Sequence, residues 1–258
     1  MPLSILGSFS TSNFGVTSLT PTLPGTTGAN DLILVLSSGN SLQTIDTDYT
    51  PLTGAPVSQS NNFGAAGRIL AGASEPNPIM SQASSNNMCA GGIVIRGVNT
   101  TTPVLAQDYA IQSSFTTTIV APSLNASGAT VYSVLLLTNE NDSGAITWPV
   151  GWTQQEYNNL SNFGPTLAIA VNTSPGSGSI APGTITLANG RQSSVWHVLV
   201  QVAPSGASVG YRLTMAGDRV LTMPGDFLTL MGGAPAGATK VLKRWNGSAW
   251  VAATLKAT

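Results

Sequence analysis

The stretch GANDLILVL at residues 28–36 returns as GATVYSVLLL at residues 128–137, an offset of 100 residues at the shared Gly-Ala pair. Three further matches keep the same order: TSLTPTL (17–23) with TIVAPSL (118–124), NFG (62–64) with NFG (162–164), and GIVIRGV (92–98) with VWHVLVQV (195–202). The offset drifts only from 100 to 104 residues. Because the period is domain-sized, it predicts two tandem copies of one domain rather than a solenoid of small repeats.

Between these matches the chain alternates runs of valine, isoleucine, leucine and threonine with clusters of glycine, proline, asparagine and serine. This pattern, with turn signals every ~8–12 residues and no sustained helical period, predicts an all-β fold of the sandwich or barrel type. Strands are predicted near 4–9, 13–20, 31–37, 66–72 and 92–98 in the first copy, and near 115–121, 131–138, 166–172, 183–188 and 193–202 in the second. The apolar runs 32–36 and 134–137 are predicted as central strands covered on both faces.

Charge is scarce in this chain. Only 7% of its 258 residues are charged, against roughly 25% in typical soluble domains. Serine, threonine, asparagine and glutamine must therefore supply the polar surface, and weak mutual repulsion suits a protein packed in an assembly. Residues 1–206 carry three basic and eight acidic residues, whereas 207–258 carry six and two. This shift predicts a domain boundary near residue 205, and the basic excess is too small for a nucleic-acid-binding face.

Three modules follow from the repeat and the charge shift. We predict two tandem duplicated β-sandwich domains, at 1–102 and 103–204, and a small C-terminal β module at 208–258 with short strands. The sequence RWNGSAW at 244–250 predicts a hairpin with a two-residue Asn-Gly turn, which would place Trp245 and Trp250 on one face, diagonal to each other. Because a free module of this size is marginal, both tryptophans are predicted to be packing or oligomer contacts.

Few residues in this sequence can perform chemistry. The only histidine, His197, is predicted as a hydrogen-bonded structural residue within a strand, and the only cysteine, Cys89, as a core residue. The GASVG sequence at 206–210 matches the nucleophile motif G-x-S-x-G, but no helix follows it and the histidine precedes it. Asp46 and Asp48 are interpreted as turn residues rather than calcium ligands. We therefore predict no catalytic residue, no metal site and no cofactor.

The best binding candidate is the aromatic loop WPVGWTQQEY at residues 148–157. Its Trp148, Trp152 and Tyr157 are flanked by amide side chains, a combination that can hold sugar rings. The alternative is that the aromatics are core anchors, because the aromatic-threonine pair at 152–153 recurs at Tyr49 in the first copy.

A sugar-cleaving pair of carboxylates is a less favoured hypothesis for the same loop. Glu140, Asp142 and Glu156 are the only crowded acids in the chain, and glycoside hydrolysis needs two convergent carboxylates.

No targeting signal is visible in the sequence. The start MPLSIL has no basic segment and too short an apolar stretch for a signal peptide. No apolar run approaches the ~18 residues of a membrane helix. We expect synthesis in a host cytoplasm and no membrane insertion.

The second copy resembles the repeated β-sandwich modules of bacteriophage virion proteins. The resemblance lies in the strand 134–138, the Gly151-Trp152-Thr153 turn, the strand LAIAV at 167–171 and the strand 191–202. The first copy has Tyr49 in place of the tryptophan and a weaker strand at 68–72, but it keeps IRGV at 95–98. RWNGSAW at 244–250 is also similar to the endings of phage tail and spike proteins.

The resemblance implies a non-enzymatic structural protein on the virion surface, in a tail appendage or decorating the head. Together with the low charge and the undersized third module, it predicts a homo-oligomer, with a homotrimer expected, that contacts other virion proteins. Two alternatives stay open: an adhesin that binds a host-surface glycan through Trp148, Trp152 and Tyr157, and a polysaccharide depolymerase.

Overall fold

The computed structural model describes residues 3–59, 62–160 and 164–203, and the backbone of 242–245 and 250–253. The chain divides into two compact units, Met1–Pro204 and Ser205–Thr258. All regular structure in the described part is β-strand, which confirms the all-β prediction. The G-x-S-x-G match at 206–210 and most of the predicted 208–258 module lie outside the described residues.

The first half of the chain forms one antiparallel sheet. Its strands are β1 (Ser4–Leu19), β2 (Leu32–Gly39), β3 (Gln43–Thr44), β4 (Thr50–Pro51), β5 (Val57–Ser58), β6 (Phe63–Leu70) and β7 (Met80–Arg96). They lie in the order β1-β7-β2-β6-β4, while β3 pairs with β7 and β5 pairs with β6.

The second half forms a sheet of the same plan. Its strands are β8 (Val104–Val120), β9 (Leu124–Asn125), β10 (Val131–Asn139), β11 (Ile146–Thr147), β12 (Thr153–Asn159), β13 (Thr166–Asn172), β14 (Ser179–Ile180) and β15 (Thr184–Gln201). β15 pairs with β8, β10 and β11, and the path continues β10-β13-β12, with β9 and β14 paired apart. The order β1-β7-β2-β6 thus recurs as β8-β15-β10-β13.

The two sheets pack face to face around one shared core. Leu32, Leu34 and Leu36 of β2 lie in this core together with Val134 and Leu136 of β10. The fold therefore differs from the expected sandwich per repeat, since each repeat supplies one large sheet and the sandwich forms between the repeats. Side chains alternate along a strand, so one stripe of each apolar run must find its cover outside its own sheet.

Each sheet also has an apolar outer face. Ile33 and Val35 pack with Tyr49 in a separate core on the first sheet. Leu135 and Leu137 do the same with Ile185 on the second. The prediction that the runs 32–36 and 134–137 are central strands covered on both faces is confirmed, because all their side chains are buried.

The register of the sheets refines the alignment of the repeats. Leu36 and Leu136 share the inter-sheet core, whereas Leu137 points to the outer face. Leu136 is thus the counterpart of Leu36 that strand alternation allows. The correspondence of the NFG sequences at 62–64 and 162–164 stays a prediction, because residues 162 and 163 lie outside the described residues.

The C-terminal hairpin differs from the predicted one. β16 (Leu242–Trp245) and β17 (Trp250–Ala253) are antiparallel, with Trp245 directly opposite Trp250. Four residues separate the strands, so the predicted two-residue Asn-Gly turn and the diagonal placement of the tryptophans are wrong. The predicted packing of Trp245 and Trp250 concerns side chains outside the described part of the structure.

Candidate functional site

The aromatic residues of the 148–157 segment lie together against the second sheet's outer core. Trp148, Trp152 and Tyr157 are half-buried there. The Trp148 indole Nε1–H donates to Gln154 Oε1 at 2.9 Å. The Tyr157 hydroxyl donates toward Asp142 Oδ1 and the Gly144 carbonyl, at 3.3 Å each. The structure thus brings the three predicted site residues together, with part of each ring used for packing.

Trp152 contacts the only histidine of the chain. Its ring meets the His197 ring edge to face, with centroids 6.1 Å apart and planes at 69°. His197 Nδ1 lies 2.7 Å from the Pro122 carbonyl oxygen, and Nε2 lies 2.6 Å from Ser133 Oγ. Since a carbonyl can only accept, Nδ1 carries the proton and Nε2 accepts from the serine hydroxyl.

This serine-histidine pair lies in the protein interior. Ser133 and His197 are both fully buried, on neighbouring strands β10 and β15. Burial lowers the pKa of His197 to about 4, so the ring is neutral at pH 7. A substrate has no open approach to a pair at this depth, and the prediction of a hydrogen-bonded structural histidine is confirmed.

The carboxylates of Asp142 and Glu156 do not converge. Asp142 accepts from the Tyr157 hydroxyl and, at 2.8 Å, from the Gly144 amide. Glu156 accepts from the Ser10 hydroxyl of the first sheet at 3.0 Å. Glu156 and Tyr157 are consecutive in β12 and point to opposite faces, so the Asp142 and Glu156 carboxylates lie on opposite sides of this strand. Glu140, the third acid, is buried just beyond the end of β10.

The other flagged residues have structural contacts. The Asp46 carboxylate accepts from the backbone amides of Asp48 and Ile79, at 3.3 and 3.2 Å. No group of three or more metal-ligating side chains occurs within the described ranges. Cys89 is fully buried, donates to the Pro165 carbonyl at 3.0 Å, and burial raises its thiol pKa to about 12. Its predicted core role is confirmed.

Two long edge strands form a further feature of the structure, which the sequence pattern did not predict. β1, of 16 residues, pairs on one side with β7, and β8, of 17 residues, pairs on one side with β15. No strand in the described part of the chain pairs with the outer side of either. β1 contains no charged residue and β8 contains one, Asp108, and neither contains proline. We call β1 and β8 the open edges.

Both open edges carry exposed apolar side chains. Phe14 of β1 is 57% exposed and Phe115 of β8 is 62% exposed, and Ile111 and Val120 of β8 are also exposed. These four residues are the majority of the seven large apolar side chains that are exposed among the described residues. Each phenylalanine lies where its strand departs from regular pairing with its neighbour.

The open edges are equivalent parts of the two repeats. Residues 12–20 and 112–120 have the same succession of buried, half-buried and exposed side chains. Phe14 and Phe115 occupy adjacent places in this pattern. A detectable signal was the recurrence of one phenylalanine in a Ser/Thr-rich segment about 100 residues apart.

The open edges lie on opposite sides of the sandwich. β1 lies over β12, where Ser8 Oγ donates to the Gln155 carbonyl at 2.8 Å. β8 lies over the segment after β4, where Gln107 Nε2 donates to Thr53 Oγ1 at 3.2 Å. Since β1 and β4 end the first sheet, and β12 and β8 end the second, the sheets stack in opposite order.

Comparison with protein-family models, with curated proteins and with solved structures gives no match. The described residues include no helix with the length and hydropathy of a membrane span. Within the described residues, the class that the fold defines is an all-β sandwich of two antiparallel sheets, with the long strands β1 and β8 as open edges.

Proposed function

We propose that this chain is a non-enzymatic structural protein on the surface of a bacteriophage particle, in a tail appendage or decorating the head. Its role is virion assembly through self-association and contact with other virion proteins, with host attachment as a further role. The observation that carries the proposal is the pair of open edges, because natural sheets that stay monomeric protect their edges with lysine, proline, short strands or a covering element.

The surface chemistry supports an assembled protein. A chain with 7% charged residues has little electrostatic repulsion between copies. Phe14 and Phe115 are solvent-exposed on otherwise Ser/Thr-rich strands. Exposed apolar side chains at an unpaired edge favour pairing with another protein. The virion location rests on the resemblance of the repeated strands and the C-terminal RWNGSAW sequence to phage proteins.

A glycan-binding adhesin is the second candidate function. One observation favours it: Val150 is fully exposed between Trp148 and Trp152, so the tip of the aromatic loop projects into solvent. The packing of all three aromatics against the outer core leaves only part of each ring for a ligand. Glycan-array binding that is lost in Trp148→Ala, with unchanged melting, would favour the adhesin over a purely structural role.

The proposed function has a direct test in two measurements on the full chain. We expect sedimentation velocity to show a concentration-dependent homo-oligomer, and gold-labelled antibodies against the chain to decorate intact particles of the phage that encodes it. The position of the label would also distinguish head from tail. A chain that stays monomeric at high concentration and leaves particles unlabelled would overturn the proposal, and a halo on capsulated cells that disappears in Glu156→Gln would favour a depolymerase.

A further inference from the structure

We propose that the open edges bind each other: β1 of one copy pairs with β8 of the next copy, so that the first sheet of one molecule continues into the second sheet of its neighbour. The occupant of each edge is a second copy of this chain. This inference rests on the proposed self-association and specifies the surface that performs it.

The backbone of the two edges suits strand addition. An unpaired edge presents a row of N–H and C=O groups, and an added strand satisfies them while alternate side chains provide specificity. β1 and β8 have 16 and 17 residues, so pairing can extend along most of both strands. Neither has a proline that would remove a donor.

The side chains of the edges are also compatible. With no charge on β1 and only Asp108 on β8, no pair of like charges opposes their approach. Phe14 and Phe115 are exposed aromatic side chains of these strands, and a strand added at either edge would cover apolar surface there. A partner rich in charge would gain no ion pair from β1, whereas a second copy offers another neutral edge.

The positions of the edges favour β1–β8 pairing over β1–β1 or β8–β8 pairing. Because the edges lie on opposite sides of the sandwich, two copies cannot form both contacts at once. A β1–β8 contact repeated around a ring leaves both open edges of every copy paired. A dimer through like edges leaves the other edge of each copy open, and alternating like-edge contacts need two different contacts and an even number of copies to close a ring. The smallest closed ring therefore has three copies, which agrees with the trimer expected from the sequence.

Mixing two charged-edge variants of the full chain tests the pairing without knowledge of its register. Phe14→Lys blocks β1 and leaves β8 intact, and Phe115→Lys blocks β8 and leaves β1 intact. We expect each variant alone to sediment as a monomer and an equimolar mixture to form a one-to-one dimer. Val150→Lys is the matched control, since it adds the same charge at an exposed apolar residue that belongs to neither edge strand, and it should assemble like the unmodified chain.

The alternatives give different results. Phe14→Lys alone forming dimers would indicate β8–β8 pairing, and Phe115→Lys alone forming dimers would indicate β1–β1 pairing; either overturns the proposal. Wild-type assembly in both variants would do so as well, because another surface would then hold the copies together. If either variant melts early, Thr17→Lys on β1 and Thr117→Lys on β8 replace it, since both threonines are exposed.

Hydrogen exchange provides a second measurement on the unmodified oligomer. We expect amides of residues 13–18 and 113–118 to be protected in the oligomer and to lose protection on dilution to monomer. Equal exchange in both states would refute edge pairing. An oligomer that labels particles but shows equal exchange would leave the proposed function standing, whereas a monomer absent from particles would remove both.

Discussion

Acidification from pH 7 to pH 5 should destabilise this protein through one residue. His197 is the only histidine in the chain and is fully buried in the neutral form between the Pro122 carbonyl and the Ser133 hydroxyl. Protonation would place a charge among apolar side chains and would abolish the acceptor that Nε2 offers to Ser133. The folded protein therefore resists a proton that the unfolded chain accepts readily.

The size of the effect follows from the two pKa values. Burial lowers the pKa of His197 from 6.5 to about 4 in the folded protein. The unfolded state then binds more protons below pH 6.5, so the stability is fully present above that pH and decreases as the pH falls through 4. Proton linkage therefore lowers the free energy of unfolding by about 2 kcal/mol between pH 7 and pH 5, and by about 3 kcal/mol in total.

Urea unfolding followed by tryptophan fluorescence at pH 7, 6 and 5 measures this loss. His197→Gln serves as the control, because its amide can donate to the same carbonyl but does not titrate. Both proteins have the same carboxylates, so the contribution of carboxylate titration cancels when one stability curve is subtracted from the other. Parallel curves, or a single imidazole NMR signal that titrates near pH 6.5 in the folded protein, would refute the reasoning.

Three further predictions concern the interior. Gly64→Ala should lower the free energy of unfolding by about 1–3 kcal/mol, because a Cβ there would lie 2.7 Å from Thr138 Oγ1. Gly25→Ala is the control and should leave the urea midpoint unchanged, because its Cβ would meet nothing within 4 Å. Trp196→Ala should lower the free energy of unfolding by roughly 3–5 kcal/mol, since the indole lies in the core that both sheets share. The variant should still unfold in one transition by circular dichroism and fluorescence, and two separated transitions would contradict this. Cys89 should not react with thiol reagents at pH 8 until urea unfolds the chain, because its thiol is buried. Rapid labelling of the native protein would contradict this prediction.

The strands that the sequence predicted correctly are those whose own side chains bury apolar area. The run 32–36 has only apolar residues and lies within β2, and LAIAV at 167–171 lies within β13. β12 was interpreted as a loop because TQQEYNN offers no apolar period. Its strand conformation depends on pairing with β13, and such a partner is not visible locally.

The arrangement of the sheets depended on information that the sequence pattern lacks. An apolar run such as 134–137 shows that both faces of a strand are buried, but not what covers each face. The Trp245–Trp250 pairing was missed for a related reason. Asn-Gly favours a two-residue turn, yet the observed register leaves four residues between the strands.

The candidate site, too, was predictable from the sequence only in part. Trp148, Trp152 and Tyr157 are close in sequence, so their clustering was predictable, whereas their packing on the outer core was one of two open readings. The recurring phenylalanine marks equivalent segments of the two repeats but not open edges, because exposure of Phe14 or Phe115 is a property of the tertiary structure. In sequence, an isolated phenylalanine among serines and threonines reads as a core residue of a strand.

Duplication and assembly are physically connected in this fold. One repeat alone would expose the inner stripe of its central strand, Leu32, Leu34 and Leu36 in the first copy, so a single sheet cannot bury its own apolar surface. A tandem second copy supplies the missing cover at high effective concentration. The same doubling gives the sandwich one open edge per repeat, on opposite sides. A unit with two such edges has a valency of two, so its self-association produces rings or chains rather than isolated dimers. Closing the ring pairs both open edges of every copy.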